Sequence, residues 1–217
     1  MARECSSLLQ TIGDRIVAAG ADPYLYFRDS VEIVVFGSVA AGLERRNSDI
    51  DVLFVGSSEG KLKTDQLDLL AISESRSQEG RWRQSELAGH IYLYGIWLQG
   101  NSRATRFIGF SKECIEAKRR RVAAFVRRLP EVWHELDWDF KIKYLIKLRR
   151  ETQRLIRIES YIAVPPTRVL DDIPPHASER LEVCDRLRRL SKHQHTDFWG
   201  PFLKAMLHEW DRPYAPD

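Results

Sequence analysis

No stretch of this chain holds apolar residues together for the ~20 positions that a membrane-spanning helix requires, so no such helix is expected. The first twenty residues, MARECSSLLQTIGDRIVAAG, lack the compact apolar core and small-residue cleavage site of a signal peptide. Cysteine is scarce: Cys5, Cys114 and Cys184 are odd in number, far apart and without a C-x-x-C pair. That pattern excludes a disulfide framework and a cysteine zinc site, and a reducing cytoplasm is the expected home. There is no internal repeat and no low-complexity segment, which excludes a solenoid or a disordered tract. Net charge is small, +3 over 217 residues, so the total says little about partners and the distribution says more.

What is present suits a globular protein with a sizeable core: 43% of residues are hydrophobic and 30% charged. The length fits one large or two small domains. Residues 1–100 read as mixed. Leu8, Leu9, Ile12, Ile16 and Val17 recur at helical spacing, which predicts a helix over about 4–20. β-branched VEIVVF predicts a strand at 31–36, and a short helix is expected near 39–44 after a Gly-Ser turn. Further strands are expected at 50–55 and 67–73, joined by the polar connection GSSEGKLKTDQ. WRQSELAGHIYLYGIWLQG should hold a helix and a short strand. Residues 101–217 read as helical, with a first helix through Ile115, Val122, Val126 and Leu129 that Pro130 ends. A second runs through Ile142, Leu145, Thr152 and Ile156 and stops before Pro165-Pro166. A third is marked by Leu181, Cys184, Leu187 and Leu190, and a fourth by Phe198, Phe202, Met206, Leu207 and Trp210.

The chemistry concentrates in VVFGSVAAGLERRNSDIDVLFVG, Val34 to Gly56. Alternate side chains of a strand share a face, so Asp49 and Asp51 point the same way about 7 Å apart while Ile50, Val52 and Phe54 point into a core. Two carboxylates on one face repel unless a cation sits between them. An all-oxygen pair suits Mg²⁺, which keeps waters and takes one or two carboxylates plus substrate phosphates. Upstream, Gly37 allows close backbone approach, Ser38 adds a hydroxyl, and amides opening a helix attract phosphate. Both halves of the motif suit one ligand, a nucleoside triphosphate with its metal.

FGSVAAG followed by SDIDVLF resembles the signature of the polymerase-β-like nucleotidyltransferase superfamily, and of its minimal prokaryotic members in particular. These include antibiotic-modifying enzymes and antitoxin-type protein adenylyltransferases. The resemblance implies an α+β fold: a small mixed-sheet nucleotidyltransferase domain over 1–103 and a helical substrate- or partner-binding domain over 104–217. It implies that Gly37 and Ser38 bind the triphosphate of ATP or another NTP. Asp49 and Asp51 would bind metal, two Mg²⁺ ions in all, and NMP, AMP first among the choices, would pass to a hydroxyl with release of pyrophosphate. A third carboxylate on a later strand would complete the catalytic and metal-binding set. Asp68 in QLDLLAIS is the best match, with Asp65 and Glu86 as rivals. The chain departs from the pattern at Ala41, where an arginine is often found, and Arg45 or Arg46 is available instead.

In KYLIKLRRETQRLIR the residues Lys143, Lys147, Arg150, Arg154 and Arg157 fall in one sector of a helix opposite Ile142, Leu145, Thr152 and Ile156. Such a stripe suits an anion, whether a triphosphate tail, an RNA backbone or an acidic protein, and Lys143 and Lys147 are expected to reach the nucleotide. Arg188 and His193 form an R-x4-H that is also found in a ribonuclease family partnered with minimal nucleotidyltransferases, and His193 and His195 could pair on a metal. His90, among Ile91, Leu93 and Tyr94, reads as structurally satisfied. The expected function is therefore a Mg²⁺-dependent adenylyltransferase acting on a hydroxyl of a protein, a tRNA or a small molecule. The rivals are an inert nucleotide-binding antitoxin or sensor module and an RNA-binding helical protein. No membrane partner is expected.

Overall fold

The computed structural model describes residues 2–57, 59–101, 105–172, 187, 189, 201 and 202. The chain divides into two compact units, Met1–Ser111 with Ala163–Arg168, and Lys112–Ile162 with Val169–Asp217. Among the described residues no helix is long and apolar enough to cross a membrane.

The first unit is α+β. It runs α1 (Ala2–Ala18), α2 (Tyr24–Phe27), β1 (Glu32–Phe36), α3 (Gly37–Ala40), β2 (Ile50–Gly56), β3 (Gly60–Lys63), β4 (Leu67–Ser73), α4 (Glu74–Gln78), α5 (Gly80–Arg83), α6 (Glu86–Tyr94) and β5 (Ile96–Gln99). The strands form one mixed sheet in the order β3-β4-β2-β1-β5. β2 and β4 are parallel, and the other neighbours are antiparallel. Both faces are covered, which is why β2 reads as a nearly continuous apolar run. Ile50, Val52 and Phe54 pack with Ile12 and Ile16 of α1. Leu53 and Val55 pack on the other side with Trp82 and Ile91. Asp51 and Asp68 break that second face, at the end where β2 and β4 both begin.

Three local expectations are corrected. The polar connection between β2 and β4 contains a strand, β3, exposed but for half-buried Leu62. Edge strands are often short and carry lysines in place of apolar residues, as GKLK does, so composition alone did not reveal it. The turn after β1 winds into a single helical turn over 37–40 rather than over 39–44. Val17 is 59% exposed, outside the α1 stripe that buries Ile12 and Ile16.

In the second unit α7 (Lys112–Val132) and α8 (Trp138–Glu159) bury Val122, Val126, Leu129, Leu145, Leu148 and Leu155 against one another, with Leu187 and Phe202. α9 (Thr167–Asp172) follows, with Thr167 and Arg168 counted in the first unit and the rest in the second. Pro130 does not end α7: the helix runs to Val132, and Trp133 N still donates to Leu129 O at 3.0 Å. A proline this close to the C-terminus removes one backbone bond and leaves the rest of the ladder intact. Thr152 sits fully buried on the apolar face of α8 because its hydroxyl donates to Leu148 O at 2.8 Å. The expected helices around 181–190 and 198–210 lie outside the described residues, apart from Leu187 and Phe202, which are buried.

Candidate active site

β1 hands over to α3 at Gly37, whose φ of +71° lies in the left-handed region that glycine enters without a Cβ penalty. Space requires glycine there as well. A Cβ built on Gly37 would lie 2.0 Å from Asp51 Oδ2 and 2.9 Å from its Cγ, so the glycine backbone is the wall against which the carboxylate rests. Ser38 follows in a four-residue helix. One turn has little macrodipole, so any phosphate contact here depends on individual amides and the Ser38 hydroxyl, not on a helix terminus.

Asp51 lies opposite Phe36 on β1 and opposite Asp68 on parallel β4. Register partners on adjacent strands point to the same face about 4.8 Å apart, so Asp51 and Asp68 stand side by side. Burial, together with the charges of Asp49 and Asp68, pushes the Asp51 carboxyl up to about 7, while Lys63 and Lys61 pull it back. Asp65 is exposed in the turn before β4 and Glu86 lies in the first turn of α6, so of the three rivals Asp68 alone shares Asp51's register.

Asp68 has company that the sequence reading missed. Lys63 is its register partner on β3, and the Lys63 ammonium donates to Asp68 Oδ2. Lys61, two residues earlier on the same face, reaches Asp68 Oδ1 at 3.5 Å. Burial raises the Asp68 carboxyl, but the Lys63 hydrogen bond and both lysine charges outweigh it and hold the group below the usual carboxylate range. The Lys63 ammonium is correspondingly raised, by its bond to Asp68 first and then by that group's charge. The signal was the alternation in GKLKTDQLD, which becomes informative only once that stretch is known to fold as a hairpin.

The other residues singled out fall elsewhere. Arg45 and Arg46 are exposed in the loop before β2, where Arg45 N donates to Ser48 Oγ at 2.8 Å. Lys143 and Lys147 belong to the second unit, their ammonium groups 5.3 Å and 5.5 Å from the ring centres of Phe140 and Phe125. The α8 stripe is not purely basic in space. Glu151 takes Lys118 at 2.8 Å, Arg154 at 3.5 Å and Arg121 at 4.0 Å, and Glu159 takes Arg119 at 2.6 Å. His90 is satisfied: its Nδ1 pairs with Val164 O at 2.9 Å, and its ring lies against Phe36 and Tyr94. His193 and His195 lie outside the described residues, as does Arg188.

Among the described residues no group of three or more His, Cys, Asp or Glu side chains is arranged to hold a metal ion. The chemistry of the donor set nevertheless fits a hard divalent cation at Asp49 and Asp51: two carboxylates, no nitrogen or sulfur, and a glycine wall holding one of them in place.

Residues 24–95 match the family model of the nucleotidyltransferase domain, a segment that contains Gly37, Ser38, Asp49, Asp51 and Asp68. The matched segment lies wholly within the first unit, Met1–Ser111. No curated protein matches the sequence. Among solved structures, the chain is similar to spectinomycin adenyltransferase AAD(9) from Enterococcus faecialis with ATP and spectinomycin, at 11% identity and a TM-score of 0.44, over 86% of this chain and 93% of that one. It is also similar to a toxin-antitoxin structure with AMP-PNP, at 17% identity and a TM-score of 0.27, over 42% of this chain and 76% of that one.

Proposed function

We propose that this protein is an adenylyltransferase that moves AMP from ATP to a hydroxyl of an acceptor, a protein, a tRNA or a small molecule. A bond forms between the acceptor oxygen and the α-phosphorus, the bond from that phosphorus to the β-phosphate oxygen breaks, pyrophosphate leaves, and the hydroxyl's proton is released to water. The observation that carries the reading is the contact of Asp51 with Gly37, inside a segment that matches the nucleotidyltransferase model. Asp49 and Asp51 would hold a divalent cation, Mg²⁺ by donor chemistry, whose contribution is to neutralise phosphate charge as it shifts during transfer. Gly37 presents bare backbone to the nucleotide's phosphates, and the Ser38 hydroxyl donates to a phosphate oxygen. Asp68 stands beside Asp51 as the third carboxylate. Catalysis of this kind is mainly positioning and charge.

The test is release of pyrophosphate from ATP, measured by a pyrophosphate-coupled assay, together with transfer of label from α-labelled ATP to protein, tRNA and small-molecule acceptor panels. Asp49→Ala with Asp51→Ala should abolish both release and labelling while the far-ultraviolet circular dichroism stays unchanged. Equal turnover in that variant sinks the proposal.

One observation favours a second reading. Both oxygens of Asp68 are engaged by lysines, which suits a module that binds nucleotide without turnover, as an antitoxin or sensor would. Saturable ATP binding with no pyrophosphate released across all acceptors would select it.

A further inference from the structure

Across one face of the sheet runs a row of register partners: Lys63 on β3, Asp68 on β4, Asp51 on β2 and Phe36 on β1. Lys61 joins the row from two residues back, since alternate residues of a strand share a face. The two lysines divide Asp68 between them, Lys63 on Oδ2 and Lys61 on Oδ1. They are supplied by an exposed edge strand, and their side chains are 60% and 61% exposed, so neither is there to fill a core. An edge strand whose solvent-facing lysines turn inward onto one carboxylate needs a reason beyond solubility.

Charge supplies one. A third carboxylate joins a two-ion site by turning at least one oxygen to a cation in place of any other positive partner. Here each Asp68 oxygen already faces an ammonium group, and the described carboxylates do not gather into a three-ligand group. Two ammonium groups carry the same charge as one divalent ion. We propose that Lys61 and Lys63 stand in for the second metal ion, so that the site takes one divalent cation, on Asp49 and Asp51. The inference rests on the nucleotidyltransferase reading and specifies its metal requirement. It replaces the two-ion arrangement that the sequence resemblance implies. Lys63 is then a positioning residue: fixed to Asp68, it holds positive charge beside Asp51 without a second ion being bound.

The test uses Mn²⁺ alone on the full chain, counted by the electron paramagnetic resonance signal of the free ion. Wild type should bind one Mn²⁺ with the spectrum of an isolated ion. Lys61→Gln with Lys63→Gln frees Asp68 and should bind two, the second within about tenfold of the first, with the broadening of a dipolar-coupled pair. Lys61→Arg with Lys63→Arg keeps both cations and should return the count to one. Both positions are exposed, so folding is expected to survive, and circular dichroism checks it. Two ions in wild type, or one ion in the double glutamine variant, overturns the inference while leaving the metal pocket standing. A wild type that binds no more Mn²⁺ than Asp49→Asn with Asp51→Asn overturns the pocket itself and the inference with it.

Discussion

Gly37 and Asp51 are in such close contact that no side chain fits between them: a Cβ on the glycine would lie 2.0 Å from the aspartate's Oδ2. Gly37→Ala therefore meets two penalties. The backbone at φ +71° strains any L-residue by about 1–2 kcal/mol, and the methyl displaces the carboxylate. Gly42 separates the two effects. Its φ is +65°, yet a Cβ there meets nothing within 4 Å. Both variants should lose stability in urea titrations, Gly37→Ala the more because it adds the clash to the strain. Only Gly37→Ala should also lose divalent-ion affinity, by about tenfold or more, equivalent to ~1.4 kcal/mol. Equal metal binding in the two variants would show that the contact is incidental.

The Asp51 carboxyl, raised to about 7 chiefly by burial and then by Asp49 and Asp68, makes the metal-free protein sensitive to pH. Between the ordinary aspartate value of 3.8 and about 7 the folded state binds a proton that the unfolded chain releases. Stability must then fall as pH rises across that window. Asp51→Asn removes the effect, so the variant should gain on wild type steadily from pH 4 to pH 7 in thermal melts without metal. Taking the difference between the two proteins cancels Glu151, which lies in the second unit and whose lowered group acts with the opposite sign. Divalent ions compete with that proton, so wild-type metal affinity should climb toward pH 7 and level off above it. A pH-independent difference between wild type and Asp51→Asn would refute the raised carboxyl.

The site was legible where one strand carried the whole signal. SDIDVLF announces a half-polar entry to a buried strand, and FGS announces a bend that admits only glycine, because both patterns are local in sequence. Asp68 was legible for a related reason: LDLLAIS reads as a strand, and its parallel pairing with β2 then places Asp68 opposite Asp51. Lys61 and Lys63 were not legible. Their strand buries almost nothing, so it has no apolar period to read, and their partner is fixed by the β3–β4 register alone. The basic stripe of α8 was read from one helix, whereas its charge is set partly by α7, which sends Lys118 and Arg121 to Glu151. α8 ends at Glu159, several residues before Pro165-Pro166, and nothing local told that residues 163–168 return to the first unit.

In the second unit, Lys118 and Glu151 form a pair whose side chains are 6% and 12% exposed, with nitrogen and oxygen 2.8 Å apart. Burial alone would raise the Glu151 carboxyl, but the Lys118 hydrogen bond and the neighbouring cations outweigh it and keep the group ionised. Removing one member strands a charge, so Lys118→Met should cost about 3 kcal/mol in urea unfolding. Replacing both, Lys118→Met with Glu151→Met, should recover part of that loss, because the stranded carboxylate is gone, while Arg154 still loses a partner. A double variant no better than the single one would show that Arg154 and Arg121 hold Glu151 in place without Lys118.

His90 gives the last prediction, and it separates a structural histidine from a catalytic one. Its Nδ1 meets Val164 O at 2.9 Å, and Val164 is 2% exposed while Pro165 and Pro166 beside it are buried. That bond pins the returning segment 163–168 within the first unit. His90→Ala leaves a buried carbonyl without this partner, at about 1–2 kcal/mol, and opens the segment more often. Tyr161 and Ile162, exposed just before it, offer chymotrypsin a bond to cut. Cleavage after Tyr161 should accelerate about tenfold, in line with ~1.4 kcal/mol of local opening. His90→Gln can still donate to Val164 O and should restore most of the protection. A base acting on the acceptor hydroxyl behaves differently: glutamine would not rescue it, and the pH profile of turnover would lose its acidic limb. Protection restored by glutamine with an unchanged pH profile assigns His90 to the fold, and the reverse pattern assigns it to the chemistry.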